Sequence, residues 1–257
     1  MDDVTLTARQ LASQRNLYRS IGERSRGGQA LEPVDGVLAA VAPAVPERSL
    51  FNAVVYEDPQ ALLAVRDELA GAYEAAGVVS WTVWTRPGDD VAPRALAAAG
   101  HDHDAQPMLM AAPLDEMDLE PRRGLDLEPA PTLELVGQVN DEAFGLGAGQ
   151  GFRALLTGFE DPTWRPYVAR VDGAPASSVV AIHHDGDCGI YCVATVPAGR
   201  GGGLSSELMR LALRDARDQG CTTTSLESSK AAESLYARLG YRSFGRMGMW
   251  GRRRPRR

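Results

Sequence analysis

The stretch that most constrains this chain runs from Ile190 to Ser206: Ile-Tyr-Cys-Val-Ala-Thr-Val-Pro, then Ala-Gly-Arg-Gly-Gly-Gly-Leu-Ser-Ser. Its first part is apolar and β-branched and stops at Pro197, which reads as a buried strand. Its second part is a glycine-rich turn with one arginine. Beyond it Leu204, Leu208, Leu211 and Ala212 recur at helical spacing until Gly220. Strand, glycine turn and helix in that order have a chemical use. The first turn of a helix holds backbone N–H groups without partners, and the macrodipole adds positive potential there. Glycines let the backbone approach an anion with no Cβ in the way. Arg200 adds a fixed charge, so the stretch is a candidate cradle for a phosphate or diphosphate.

Two familiar phosphate loops do not fit. The Gly-Lys-Ser/Thr ending of a P-loop is absent, and the dinucleotide pattern fails at Ser206, where its third glycine belongs. What remains is Arg-x-x-Gly-x-small, here Arg200, Gly203 and Ser205, behind Val193-Ala194-Thr195-x-Pro197. A β-branched strand follows at Cys221–Glu227. Then comes Ser229-x-x-Ala232-x-x-Leu235-Tyr236-x-x-Leu239-Gly240-Tyr241, whose apolar positions fall on one helix face. Together these resemble the GNAT acetyltransferase superfamily, with its coenzyme A diphosphate loop and its Asn-x-x-Ala-x-x-Leu-Tyr-x-x-x-Gly-Phe signature. The resemblance covers roughly residues 120–250.

The resemblance implies a mixed α/β GNAT fold, a splayed mixed sheet flanked by helices, with acetyl-CoA as cosubstrate. It implies that Arg200, Gly201, Gly202, Gly203, Leu204, Ser205 and Ser206 bind the diphosphate. It implies that Val193, Ala194 and Thr195 offer backbone groups to the pantetheine arm and the developing oxyanion. Tyr236 becomes the acid for the leaving thiolate, and Ser229 stands at the signature asparagine. Plainer readings stand beside each: Tyr236 as core packing, the strand as fully paired, the turn as merely flexible, Ser229 as a helix N-cap. Two departures from the family pattern are Gly202, where a basic residue is often found, and Ser205, where glycine or alanine is usual.

Attack by an amine needs a base, and Glu227, at the end of the strand facing the splayed one, is the first choice. Asp187, His183 and His184 sit near the start of the central strand and read rather as surface or turn residues; a water chain is an equal alternative to Glu227. No metal is expected. Cys188 and Cys192, near the two histidines, would spread their ligands along ~13 Å of strand, and read better as small buried hydrophobes. Glu142, Phe144, Phe152 and Trp164 fall where the family places its substrate wall, or in the core.

Composition narrows the classes. A net charge of −7 over 257 residues argues against a general nucleic-acid binder. Three cysteines form no disulfide framework, and Met1-Asp2-Asp3 is acidic where a signal peptide is basic, so a cytoplasmic protein is expected. No apolar run is long enough to span a bilayer. The arginine-rich tail, taken as 251–257, is expected to be solvated.

The first half repeats the second. Residues 4–22 read as a helix, 31–50 as a short helix or irregular packing around three prolines, Phe51–Tyr56 as a strand. A helix opens at Pro59 and stops at Gly77, a strand follows at 78–84, a short helix ends at Gly100, and an extended stretch runs to Ala112. Gly100 aligns with Gly240 at an offset of 140, which sets Met108 and Met110 beside Gly248 and Trp250. The expectation is a tandem GNAT-like chain: a degenerate copy at 1–115 and an active one at 116–257. The first copy has Glu57-Asp58-Pro59 where the second has its glycine loop, and two carboxylates and a missing N–H do not suit a diphosphate. The expected activity is acetyl transfer from acetyl-CoA to a primary amine of a small molecule, by a monomer or homodimer. Alternatives are a protein acetyltransferase and a non-catalytic acyl-CoA-binding regulator.

Overall fold

A computed structural model describes residues 1–147 and 151–253. The chain forms two compact units, each assembled from two stretches: Arg15–Met108 with the chain from Gly245 on, and Met1–Gln14 with Leu109–Phe244. A single cut after residue 115 does not follow these units. The helix α1 (Asp3–Arg24) begins in one and ends in the other.

The first unit is built on β1 (Gln29–Leu31), β2 (Val37–Val41), β3 (Ala53–Tyr56), helix α2 (Pro59–Ala75), β4 (Ser80–Thr85), α3 (Val91–Ala98) and β5 (Asp102–Ala105). Strands β1 and β2 correct the expectation for 31–50. All five residues of β2 are buried, so its run is continuously apolar instead of alternating. The irregular packing lies after it, at 42–52. There buried Asn52 accepts from Ala42 N–H at 2.7 Å and donates to the Val45 and Arg48 carbonyls. The Asp58 carboxylate accepts from Gln60 N–H at the start of α2, and Pro59 supplies none, so this helix start is closed by its own cap.

The second unit holds β6 (Met108–Pro113), β7 (Asp126–Leu127), α4 (Leu133–Phe144), α5 (Phe152–Leu156), β8 (Trp164–Val171), β9 (Ala174–His184), β10 (Asp187–Thr195), α6 (Leu204–Asp218), β11 (Thr223–Ser228), α7 (Glu233–Leu239) and β12 (Arg242–Arg246). The Asp-Gly pairs at 172–173 and 185–186 take positive φ at both residues, the geometry a two-residue hairpin needs. Thr132 caps α4 by accepting from Leu135 N–H at 3.1 Å. Glycines at 145, 147, 149 and 151 predict a break after α4; residues 148–150 of that stretch lie outside the described residues. Gly137 marks the closest approach of α4 to α5: a Cβ there would lie 2.5 Å from Arg153 Cα. Gly137→Ala is therefore expected to push the helices apart and destabilise this unit by about 1–3 kcal/mol, read as a lowered thermal transition.

The last strand, β13 (Gly248–Arg253), explains the two-stretch units. The sheets run β1-β2-β3-β4-β13-β5 and β12-β6-β11-β10-β9-β8-β7. Strand β13 belongs by sequence to the second copy and pairs with β4 and β5; β6 belongs to the first and lies between β11 and β12. The copies have exchanged their last strands, and these are the segments that the 140-residue offset aligns. The exchange also corrects the reading of the tail: Gly251–Arg253 are strand, and Arg253 pairs with Asp104 at 3.0 Å. Residues 254–257 lie outside the described residues.

Candidate active site

The site forms where two parallel strands part. Pairing of β10 with β11 stops at Gly189↔Ser225, so the rest of β10 has no ladder partner on that side. On its other side the register with β9 breaks between Tyr191 and Ala194, with Cys192 at φ 52. A non-glycine residue at positive φ is the mark of a bulge that bends the strand away. Asn140 and Ser178 hold the Cys192 carbonyl at 3.2 and 3.0 Å. Val193, Ala194 and Thr195 thus lie on the splayed stretch.

A short 3-10 turn, Pro197–Gly199, leads into the glycine loop. Gly201 and Gly203 sit at φ 78 and 71, conformations in which a side chain would be strained. Gly203 is the N-cap of α6, and no side chain caps it. The N–H groups of Leu204, Ser205 and Ser206 therefore have no intrahelical acceptor, in contrast to the self-capped start of α2. Ser205 does more than fit. Its hydroxyl lies 3.0 Å from that of Thr195, which lies 2.9 Å from that of Ser177, so the loop is tied to the strand end. Arg200 is folded back, donating to the Thr195 carbonyl at 3.2 Å and the Ala143 carbonyl at 2.9 Å. It braces the loop against the C-terminal end of α4 and keeps its remaining donors.

Tyr236 lies on α7, buried, its ring edge-on to Tyr241 at 5.8 Å. Its hydroxyl has no hydrogen-bond partner among the described residues, while that of Tyr241 is engaged by Thr224 at 2.8 Å. Burial pushes the Tyr236 pKa up to about 12. Ser229 does not cap this helix: it is exposed, its carbonyl receives Ser228 Oγ and Ala232 N–H, and the N-cap is Ala232.

Glu227 lies on β11 past its last pair with β10. It is only partly open to solvent, and burial raises its pKa to about 8 against the bond that Gln10 of α1 donates. Asp187 is not a surface residue: it is buried, accepts from Thr223 at 2.7 Å and Ser225 at 2.5 Å, and burial raises its pKa too. Its charge adds to the upward push on Glu227. Arg9 closes the cluster by bonding Thr222 at 2.6 Å and Thr223 at 3.2 Å. Sequence reading missed Arg9, Gln10 and Ser13. The signal was there: Leu6, Gln10, Ser13, Gln14 and Leu17 share one helix face, and all five are buried. A polar group repeated on an inward face calls for a buried partner.

Among the substrate-wall candidates, Trp164 is buried against Phe159 at 4.5 Å. Phe144, 58% exposed, stacks on Phe152 at 5.9 Å. Among the described residues no three His, Cys, Asp or Glu side chains are grouped to hold a metal. No helix among them is long and apolar enough to cross a membrane.

Residues 134–241 match the model of the Acetyltransferase (GNAT) family. Solved structures of the same fold include a GCN5-related N-acetyltransferase from Kribbella flavida, 18% identical, with a TM-score of 0.68 over 96% of this chain and 95% of that one. Another, from Sphaerobacter thermophilus, is 19% identical, with a TM-score of 0.58 over 88% and 83%. A search of curated proteins finds no match. The chain carries a GNAT acetyltransferase domain and is an acyltransferase. Its form is tandem, as in a tandem GNAT protein from the clavulanic acid biosynthesis pathway, 15% identical, with a TM-score of 0.56 over 97% of both chains.

Proposed function

We propose that this protein transfers acetyl from acetyl-CoA to a primary amine of a small molecule, by direct attack of the amine on the bound thioester. One contrast carries the reading: the α6 start is uncapped and glycine-lined, beside a strand that has left its neighbour, whereas the α2 start is closed by Asp58. The first fits a diphosphate with a pantetheine arm; the second does not. On this reading the N–H groups of Leu204 to Ser206 hold the diphosphate, with Gly201, Gly202 and Gly203 allowing its approach and Arg200 bracing the loop. The free backbone edge from Val193 to Thr195 binds the arm, and one of its N–H groups faces the developing oxyanion.

Glu227 takes the proton of the attacking amine, and Gln10 holds its carboxylate in place. Tyr236 donates a hydrogen bond to the departing sulfur. The exposed Ser229, at the signature asparagine position, is read as a coenzyme contact. The first copy is read as structural. Three unpaired cysteines fit a reducing cytoplasm.

The test is free-thiol release from acetyl-CoA with a panel of small amines and basic peptides. Release with a small amine, above the rate of hydrolysis, is the expected result. Release with peptides alone replaces the small molecule by a protein acceptor. Acetyl-CoA binding with no release on any amine makes the chain an acyl-CoA-binding regulator.

A further inference from the structure

The glycine loop lacks the basic side chain often present at position 202, and the fold places another cation in that space. A Cβ built on Gly202 would point at the guanidinium of Arg123, 3.6 Å from Nη2 and 3.7 Å from Nη1. Arg123 is 79 residues away in sequence, in the segment that leads into β7. It is exposed and has no hydrogen bond or ion pair among the described residues. Its position is nevertheless set. The preceding residue, Arg122, donates its backbone N–H to Glu207 Oε2 at 2.9 Å and ties its own side chain to Asp118 at 2.8 Å. Glu207 is buried on α6 and paired with Arg210 at 2.8 Å, both side chains nearly free of solvent. A buried ion pair on the loop's own helix thus pins the backbone next to Arg123.

We propose that Arg123 is a coenzyme-binding residue, supplying across the fold the charge that position 202 lacks, with a phosphate group of the coenzyme as its ligand. An unpaired guanidinium beside an uncapped helix start offers paired N–H donors to phosphate oxygens. Gly202 and Arg123 then form a matched pair: the missing side chain leaves room for the guanidinium, and a basic residue at 202 would repel it. The inference rests on the coenzyme reading of the loop, and it adds a residue outside the motif. The ligand is the diphosphate or the 3′-phosphate, which share this chemistry.

The experiment is calorimetric titration of the full chain with coenzyme A, 3′-dephospho-coenzyme A and S-acetylpantetheine. Arg123→Ala is expected to raise the Kd for coenzyme A about ten-fold, the loss of one charge-assisted bond, and to flatten its rise with salt. Adding Gly202→Arg to Arg123→Ala is expected to recover most of the loss. Gly202 does not need positive φ, and a Cβ there makes only ordinary contacts, so the variant is compatible with the loop. A ten-fold loss that persists with 3′-dephospho-coenzyme A assigns the diphosphate; one that vanishes assigns the 3′-phosphate. Equal Kd values for wild type and Arg123→Ala overturn the inference and leave the coenzyme reading intact. An equal loss with the phosphate-free thioester also overturns it, since the residue would then be structural. A wild-type chain with no affinity for coenzyme A overturns both.

Discussion

Glu227→Gln is expected to slow turnover by about 10²–10⁴-fold at saturating amine, the usual contribution of a positioned base, and to remove one limb of the pH profile. With a pKa of about 8, only about a tenth of Glu227 is ionised at pH 7. The wild-type rate is therefore expected to rise nearly ten-fold per unit below about pH 7, more slowly towards pH 8, and then level above it, once the amine's own ionisation is divided out. In Glu227→Gln that rise disappears. A profile that keeps its inflection near 8 in the variant removes Glu227 as the base and returns the role to a water chain. Stability carries an independent sign. The folded pKa lies above that of a free carboxyl, so the contribution of Glu227 is fully present below about pH 4.5 and is lost as pH rises through 8. Thermal scans of Glu227→Gln should fall less between pH 5 and 9 than those of wild type.

Tyr236→Phe is expected to lower kcat by about 10²–10³-fold, as the loss of one donor to a developing anion does elsewhere, with the Kd for acetyl-CoA nearly unchanged. The reasoning turns on a mismatch. A phenol of pKa about 12 holds its proton against a thiolate whose conjugate acid titrates near 8.5, so complete transfer would be uphill by about 5 kcal/mol. The phenol therefore acts as a hydrogen-bond donor to the sulfur. Its hydroxyl, next to an engaged Tyr241 and without a hydrogen-bond partner among the described residues, is the structural basis. An acetyl thioester of a more acidic thiol should suffer less from the substitution. Unchanged turnover would return Tyr236 to the core-packing reading.

The parts of the fold that announce themselves locally were legible. Asp172-Gly173 and Asp185-Gly186 are turns by backbone chemistry alone, and Thr132 is a cap because a hydroxyl there meets an N–H three residues on. The glycine loop was legible for the same reason: positive φ at 201 and 203 strongly favours glycine. Strand β2 was not, because prolines around it suggested irregularity while its continuous apolar run matches no alternation. Asp187 read as a turn residue, and only the partners from β11 and α1 account for its burial.

By itself, the sequence determined the repeated order of elements, the strand–glycine turn–helix stretch from Ile190, and the Glu57-Asp58-Pro59 stretch that stands in its place in the first half. The last two follow from residue types close together in the chain, where backbone sterics and helix ends set the outcome; the repeat follows from an order of elements that recurs at an offset of 140 residues. The tertiary structure alone decided which strand completes which sheet, which helix clamps Glu227, and which arginine stands over Gly202. Those depend on contacts between residues 79 to 217 positions apart, and pairing at that separation is chosen by packing and burial that no local pattern encodes.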